Sequence, residues 1–600
     1  MNRRALGVLG GAATAALLVT SLQSPAQAVE PAGNPERGPA AKSDDRPDAV
    51  HAARVAANQE AVAKVVSGKA EVQDRGGSKA VKMPNGQWAQ YGLQSSDNIF
   101  TMLIEFGDQK DSRFPDAPAG PQEGEIPEPD RATDNSTYWE PEFDREHFMD
   151  MMYAEEGESF KNLYEELSSG RYTVGGDVTD WVQVPYNEAS YGETESHTDM
   201  TRFIDDGAEA WYDQQVAAGK TDAQIKDYLA QFDIWDRNDY DNDGDFAESD
   251  GYIDHFQAVH AGEDESAGAP SWAIWAHRWA VNQNGFYADG DGPAFNENGG
   301  IEIGNTGLWI RDYTTEPENG GLGVFAHEYA HDLGLPDLYD TSGGENSTAF
   351  WTLMSSGSWM GHGEGTIGTT PNHMGAWEKL QLGWLDYEEA SYDESSMHTL
   401  GPAYHANKKT QALIVTLPDD EDGNERFYIA ENRQYLGYDS TLAVGPYNWS
   451  FEQTQPNRVE QFPYQNGLLI NYWNTAERRN NTNRTPGRGL VLPVDAHPAA
   501  LKWSDGLVVR NRVQAFDATF GVEPTDALSL QRETRAADGS VLTHTLDVPS
   551  QAPVSVFDDT NPDAYWDPAN PMGSVKVAGT GTTIEVLQSN RAGMMQVRVN

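Results

Sequence analysis

The 600-residue sequence has no cysteine at all, which removes disulfide scaffolds, thiolate metal sites, iron-sulfur clusters and cysteine catalysis together. Any metal must therefore be held by His, Asp, Glu or carbonyl oxygen. Basic residues are scarce, 41 Lys and Arg against 94 Asp and Glu, a net charge of −53. Like-charge repulsion makes nucleic acid and anionic lipid poor partners for such a surface. After the first residues no apolar run approaches the roughly 20 residues needed to span a bilayer, and no repeat of fixed period is present. No G-x-S-x-G follows a strand-like run, which argues against a serine hydrolase.

What is present points to a folded protein: 38 % hydrophobic residues with 17 Trp, 25 Tyr and 20 Phe. Residues 1–28 combine a basic start (Arg3, Arg4), an apolar stretch interrupted by Gly7, Gly10 and Gly11, and an A-x-A site ending at Ala28. This is the pattern of a secretory signal peptide, and the chain is expected to be extracellular and without a membrane anchor. Residues 29–96 are poor in large apolar side chains apart from a helical piece near His51 to Val66, and read as a linker or a pro-segment. They carry nine basic and eight acidic side chains, so the acidity belongs almost wholly to the remainder, on which a near-neutral pro-segment could dock.

The run Ile99 to Phe106, bounded by Asp97 and Gly107, begins a folded domain with the signature of a buried strand. Helices are expected over Phe203 to Ala218 and Asp222 to Phe232, paired strands around Gly175-Gly176 within Arg171 to Val184, and a strand in Gly251 to His260. Beyond about Asp386 short β-like runs take over: Leu413 to Leu417, Arg426 to Glu431, Gly467 to Trp473, Val508 to Phe516 and Thr582 to Leu587. The fold class is α+β: a domain over 97–386, then one or two β-sandwich-like domains over 387–600.

The chemistry is concentrated in Gly320 to Asp337, GGLGVFAHEYAHDLGLPD. Leu322, Phe325, Ala326, Tyr329, Ala330 and Leu333 keep helical spacing, and Gly334 with Pro336 stops the helix. His327 and His331, four apart, leave one face and can bind one zinc. Glu328 then stands beside the metal without ligating it, placed to take a proton from the attacking water and return one to the leaving amine. Zinc needs a third protein ligand; Asp337, brought back by the Gly334 turn, is favoured over Glu378 of the His373 to Trp384 segment. Met354, in LMSSGSWM, has the spacing of a methionine turn that floors the histidine rings, or is an ordinary core methionine. His255 and His260, an odd number apart in one strand, face opposite sides, and His277 reads as a packed core histidine.

A second metal site is suggested by Asp239, Asp241 and Asp243 alternating ahead of Gly244, with Asp245 next and Asp250 at the twelfth position. This is the spacing of a calcium-binding oxygen cage, although Asp250 is shorter than the usual Glu. Without a cation the alternating aspartates repel one another.

Taken together, HEYAHDLGLPDLYD, LMSSGSWM, DYDNDGDFAESDGYIDHF, EELSSGRYTVGGDVTDWVQVP, ENRQYLGYDS, GLLINYWN and GLVLPVDAHP resemble the immune inhibitor A family of secreted bacterial zinc metallopeptidases, from about Asn98 to the C-terminus. The resemblance implies a metzincin-like catalytic domain followed by β-rich domains, synthesis as a zymogen, calcium-supported folding and protein or peptide substrates. It also implies that His327 and His331 ligate zinc, that Glu328 is the catalytic base, and that Asp337 completes the HExxHxxGxxD pattern. No tyrosine directly follows Met354, so an oxyanion-stabilising tyrosine is not placed by it. Two other readings share these features: an exported adhesin or glycan-binding module with a degenerate protease domain, and a non-catalytic metal-binding partner of another protease. The intact Glu328 argues against the second.

Overall fold

The computed structural model describes residues 43–600 apart from 94, 284–291, 344–347, 405–409, 448–453 and 591–592; the expected signal peptide lies outside the described residues. Residues 43–96 form a helix, α1 (Ala49–Val66), and a small antiparallel sheet of β1 (Gln73–Arg75), β2 (Ser78–Lys82) and β3 (Trp88–Gln90). Asp48 caps α1, its carboxylate accepting from the Val50 amide at 3.0 Å. Ala61, Val81, Met83 and Ala89 close a minor core there, while Val62, Ala63 and Val66 reach into the main one. Few apolar residues suffice because the segment borrows its core from the domain beneath.

That domain is built on β4 (Ser96–Gln109), followed by helices α2 (Arg145–Tyr153) and α3 (Phe160–Leu167), strands β5 (Thr173–Val178) and β6 (Val182–Tyr186), and helices α4 (His197–Ala217) and α5 (Asp222–Leu229). Strands β7 (His255–His260), β8 (His277–Ala280) and β9 (Asp312–Pro317) and helix α6 (Leu322–Asp332) complete it. The sheet order is β5-β4-β7-β9-β8, parallel except for the antiparallel edge strand β8. Strand alternation sends Ile99 and Leu103 to the face covered by α2, α3 and α6, and Phe100, Met102, Ile104 and Phe106 to the face covered by α4 and α5.

The strands around Gly175-Gly176 do not pair with each other as expected. Both β5 and β6 run parallel to β4, along successive lengths of it, Ser96 to Thr101 and Ile104 to Gln109. Gly176 is needed for close approach rather than for a hairpin turn, since a Cβ there would stand 2.2 Å from the Ile99 carbonyl oxygen.

Helix α7 (Ala376–Gln381) leads into the region rich in sheet. Strands β10 (Tyr387–Ser391), β11 (Ser396–Leu400), β12 (Ala412–Thr416), β13 (Arg426–Arg433), β14 (Gly467–Asn474), β15 (Val491–Pro493), β16 (Leu528–Arg535), β17 (Val541–Val548), β18 (Val556–Asp558), β19 (Thr583–Ser589) and β20 (Met595–Val599) follow. A five-stranded sheet, β10-β12-β13-β14-β15, packs one face against the four-stranded β11-β20-β19-β18 around Val415, Tyr428, Ile470, Phe557 and Val597. Its other face sends Ile414, Phe427, Ile429 and Trp473 into the core of the first domain, against Trp377 and Leu380.

The strand expected over Val508 to Phe516 is instead a short helix, Asn511–Gln514, continued by a 3-10 turn, Ala515–Asp517. Val509, Val513 and Phe516 share helical spacing and are all buried, so packing selects the 3.6-residue period over the β-branched composition.

Candidate active site and metal centre

Helix α6 is buried along its length because Phe325, Ala326, Tyr329 and Ala330 enter the main core. It ends where Gly334 adopts φ +103°, a left-handed conformation that turns the chain back and brings Asp337 to the helix. His327 donates from Nδ1 to the Leu353 carbonyl at 2.8 Å, and His331 from Nδ1 to the Leu335 carbonyl at 2.7 Å. Those bonds fix the tautomer of each ring and leave both Nε2 atoms with free lone pairs.

The two Nε2 atoms are 3.1 Å apart, and Asp337 Oδ1 lies 3.5 Å from that of His327 and 3.1 Å from that of His331. Asp337 Oδ1 is buried without a hydrogen-bond donor, while Oδ2 accepts from Ser43 Oγ at 2.7 Å. Two lone-pair nitrogens and a carboxylate oxygen converging out of water fit a cation among them. Glu378, the competing ligand, is elsewhere: its carboxylate caps α7, accepting from the Gly375 amide at 3.2 Å and from the Thr352 hydroxyl.

Glu328 faces the cleft beside His327 with Oε2 unpaired. Burial pushes its carboxyl well above the usual range; the charge of Asp44 adds to this and that of His327 opposes it. Met354 is fully buried in the core beneath the site; its carbonyl accepts from the Leu338 amide at 2.8 Å, and its neighbour Leu353 supplies the carbonyl that holds His327.

Sequence reasoning did not single out two residues of this centre. Asp44 places Oδ2 3.7 Å from His327 Nε2 and joins His327, His331 and Asp337 in one cluster of potential ligands. It accepts from Trp275 Nε1 at 2.6 Å and from the Tyr339 hydroxyl at 2.7 Å. Tyr339 lines the same cleft as Glu328, and its phenol is held well above the ordinary value by burial and by the charges of Asp337 and Asp44. The tyrosine two residues beyond Asp337 was visible in the sequence, but nothing local told which way it turned.

Beneath the helix a charged network holds its C-terminal end. His255 Nδ1 lies 2.5 Å from Asp332, its Nε2 is 3.2 Å from Asp97, and Arg237 pairs with Asp332 at 2.9 Å. Burial alone would raise the Asp332 carboxyl, but Arg237 and His255 hold it far below the carboxylate range. His260 lies on the opposite side beside Glu188, and His277 is packed against the Trp275 carbonyl and the Tyr313 hydroxyl, at 2.6 and 2.8 Å.

The family pattern of the immune inhibitor A peptidase M6 catalytic domain matches residues 85–385, half of the chain, and spans the candidate ligands that α6 and its turn supply. The chain belongs to that family. The pattern of the immune inhibitor A-like metallopeptidase VEG domain matches residues 422–597. The chain is 33 % identical over 365 residues to Immune inhibitor A of Bacillus thuringiensis subsp. alesti, covering 57 % of this chain and 49 % of that protein. It is 32 % identical over 326 residues to the pre-pro-metalloprotease PrtV of Vibrio cholerae serotype O1 (strain M66-2), covering 50 % and 32 % respectively. The chain thus spans about half the length of the first relative and about a third of the second.

Of the five aspartates expected to cage calcium, the structure brings Asp239, Asp241 and Asp243 together. Asp245 turns away to accept from the Gly77 amide at 3.1 Å, and Asp250 accepts from the Tyr252 amide and Asn296 Nδ2, at 3.0 and 3.1 Å. No helix among the described residues is long and apolar enough to cross a membrane.

Proposed function

We propose that the protein is a secreted zinc-dependent endopeptidase, made as a latent precursor, with residues 1–28 as signal peptide, 29–96 as pro-segment, 97–386 as catalytic domain and 387–600 as a β-rich region. The observation that carries the reading is the convergence of His327 Nε2, His331 Nε2 and Asp337 Oδ1 at 3.1 to 3.5 Å, with Glu328 on the same helix as the two histidines and its Oε2 unpaired. Zinc held by these three would supply Lewis acidity toward a peptide carbonyl and lower the pKa of water toward ~7. Glu328, beside His327 in the cleft, takes the proton of the attacking water and delivers one to the leaving amine. Tyr339, protonated and in the same cleft, donates to the carbonyl oxygen as negative charge develops on it. Met354 floors the histidine rings through the turn that positions Leu353.

Latency follows from the path of residues 43–48. Arg278, on the antiparallel edge strand β8, donates its amide to the Asp44 carbonyl at 2.9 Å and accepts from the Arg46 amide at 3.0 Å, so the segment lies along the sheet edge that an extended peptide would otherwise join. Asp44 at the same time takes the hydroxyl of Tyr339 and faces His327. Asp48 locks the segment between Arg311 and Arg278, at 2.8 and 3.3 Å, and Arg46 pairs with Glu195 at 2.6 Å. These contacts are of both signs, so docking rests on paired charges rather than on a uniformly acidic cleft. A relative named as a pre-pro-metalloprotease supports the precursor reading. Calcium at Asp239, Asp241 and Asp243 supports the fold of the mature enzyme.

The test is Glu328→Gln in the processed protein. Zinc content should stay at one equivalent while casein hydrolysis falls by about three orders of magnitude. Hydrolysis at the parent rate would end the proposal.

A further inference from the structure

The segment GLVLPVDAHP carries no part of the reaction above, yet it brings an ionisable cluster together. Asp495 and His497 follow β15, and Asp517 ends the 3-10 turn Ala515–Asp517. The two stretches are fastened by the Ala496 amide donating to the Ala518 carbonyl at 3.0 Å. Potential ligand atoms of all three side chains lie within 4.8 Å of one another. Asp495 and Asp517 are 3 % and 1 % exposed, and the His497 side chain 10 %.

Three details distinguish this cluster from a solvated acidic loop. Each carboxylate has one oxygen oriented by a buried or half-buried amide: Gln514 Nε2 donates to Asp495 Oδ2 at 2.9 Å, and Gln551 Nε2 to Asp517 Oδ2 at 2.8 Å. His497 donates from Nδ1 to the Asp517 carbonyl at 2.9 Å, so its Nε2 carries the free lone pair. Asp517 Oδ1 and His497 Nε2 are nevertheless buried with no hydrogen-bond partner. Among the described residues no lysine or arginine forms an ion pair with either aspartate. Asp495 Oδ1 accepts from the His497 amide at 2.7 Å, so the two atoms left without a partner are one carboxylate oxygen and one imidazole nitrogen, both buried, and a bound metal ion would satisfy them.

We propose that Asp495, His497 and Asp517 bind a divalent first-row transition ion of the manganese or zinc type, separate from the catalytic centre. One imidazole with two carboxylates selects such an ion over calcium, which takes oxygen ligands alone. The ion ties the stretch after β15 to the turn after Asn511–Gln514, on the boundary between the core of the paired sheets, which includes Val494 and Ala496, and a second core containing Val513, Ala515 and Phe516. Its role is structural, a cross-link in a chain that has no cysteine.

Manganese binding to the full chain, with zinc loaded and calcium in excess, tests the assignment by electron paramagnetic resonance of the free ion and by thermal melting. The parent should take up one equivalent of Mn2+ that His497→Gln and Asp517→Asn do not, and only the parent should melt at higher temperature when Mn2+ is added. Should Asp517→Asn fail to fold, His497→Gln, at the more accessible position, decides alone. Equal uptake by parent and His497→Gln, or none by the parent, overturns the proposal. So would a double variant, Asp495→Asn with Asp517→Asn, that keeps the parent's Mn2+ response, since the pair would then be only a buried neutral hydrogen-bonded couple.

Discussion

Asp44 Oδ2 stands 3.7 Å from His327 Nε2, so a residue far away in sequence faces the first histidine of the HExxH helix. The contact is oriented by Trp275 and Tyr339, which hold the two carboxylate oxygens at 2.6 and 2.7 Å. Replacing it by Asp44→Ala should leave the rest of the segment docked through Asp48 and Arg46 while opening the centre. The unprocessed variant is expected to cleave a fluorogenic peptide at least about 10-fold faster than the unprocessed parent, a difference of roughly 1.4 kcal/mol in occlusion. A variant as silent as the parent would show that Asp44 does not hold the enzyme latent.

Docking of the pro-segment should depend on salt only modestly. The Arg46 to Glu195 pair is partly exposed and will be screened, but Asp48 is wholly buried between Arg278 and Arg311 and will not. The inhibition constant of the isolated 29–96 segment against the processed enzyme is expected to weaken severalfold between 50 mM and 500 mM salt. Asp48→Asn should weaken it far more at any salt, because the two arginines are left facing a neutral amide. Equal inhibition by the two segments would remove Asp48 as the anchor.

Tyr339→Phe keeps the ring packing and removes only the hydroxyl. If that phenol stabilises the developing oxyanion, kcat should fall about 10²-fold with little change in KM and no change in zinc content. A change confined to KM would assign Tyr339 to substrate binding instead.

Metal removal separates the two carboxylates weighed as third ligand. Phenanthroline should abolish hydrolysis, and zinc should restore it. Asp337→Ala should lose the metal, whereas Glu378→Gln should keep it and lose only about 1 kcal/mol of stability, the cost of a weakened cap on α7. Zinc content by mass spectrometry reads both outcomes; loss of zinc in Glu378→Gln would reverse the assignment.

The aspartate loop touches residues 75–78, within the proposed pro-segment. Arg75 Nε donates to the Asp243 carbonyl at 2.9 Å, Gly77 donates to Asp245, and the Phe246 amide donates to Ser78 Oγ at 3.0 Å. Calcium should therefore raise the melting temperature of the precursor and slow proteolytic nicking of residues 73–82. Free calcium at 100 times its Kd contributes about 2.7 kcal/mol. Asp239→Asn with Asp241→Asn should abolish both effects, and a precursor whose nicking ignores calcium would uncouple loop and hairpin.

Much of the centre was legible without coordinates because it is local. His327, Glu328 and His331 are placed by the 3.6-residue period, and Asp337 by one left-handed glycine at 334, so four residues of the site follow from a span shorter than twenty residues. The parallel partners of β5 and β6 were not legible, since a Gly-Gly between β-like runs signals a turn and a close packing contact equally. Val508 to Phe516 misled for the same kind of reason: β-branched composition said strand, while burial of Val509, Val513 and Phe516 on one side chose helix.

The sequence by itself therefore determined the positions of His327, Glu328 and His331 on α6 and of Asp337 at its turn, most helices and strands, and the family. Only the tertiary structure decided what meets that centre from afar, Asp44 across His327 and Tyr339 upon Asp44 with Glu378 withdrawn to cap α7, and, away from it, what brings Asp495 and His497 to Asp517. The physical reason is that backbone periodicity fixes side-chain direction over a few residues, whereas contacts between distant segments depend on which apolar faces pack together, and that is a property of the whole chain.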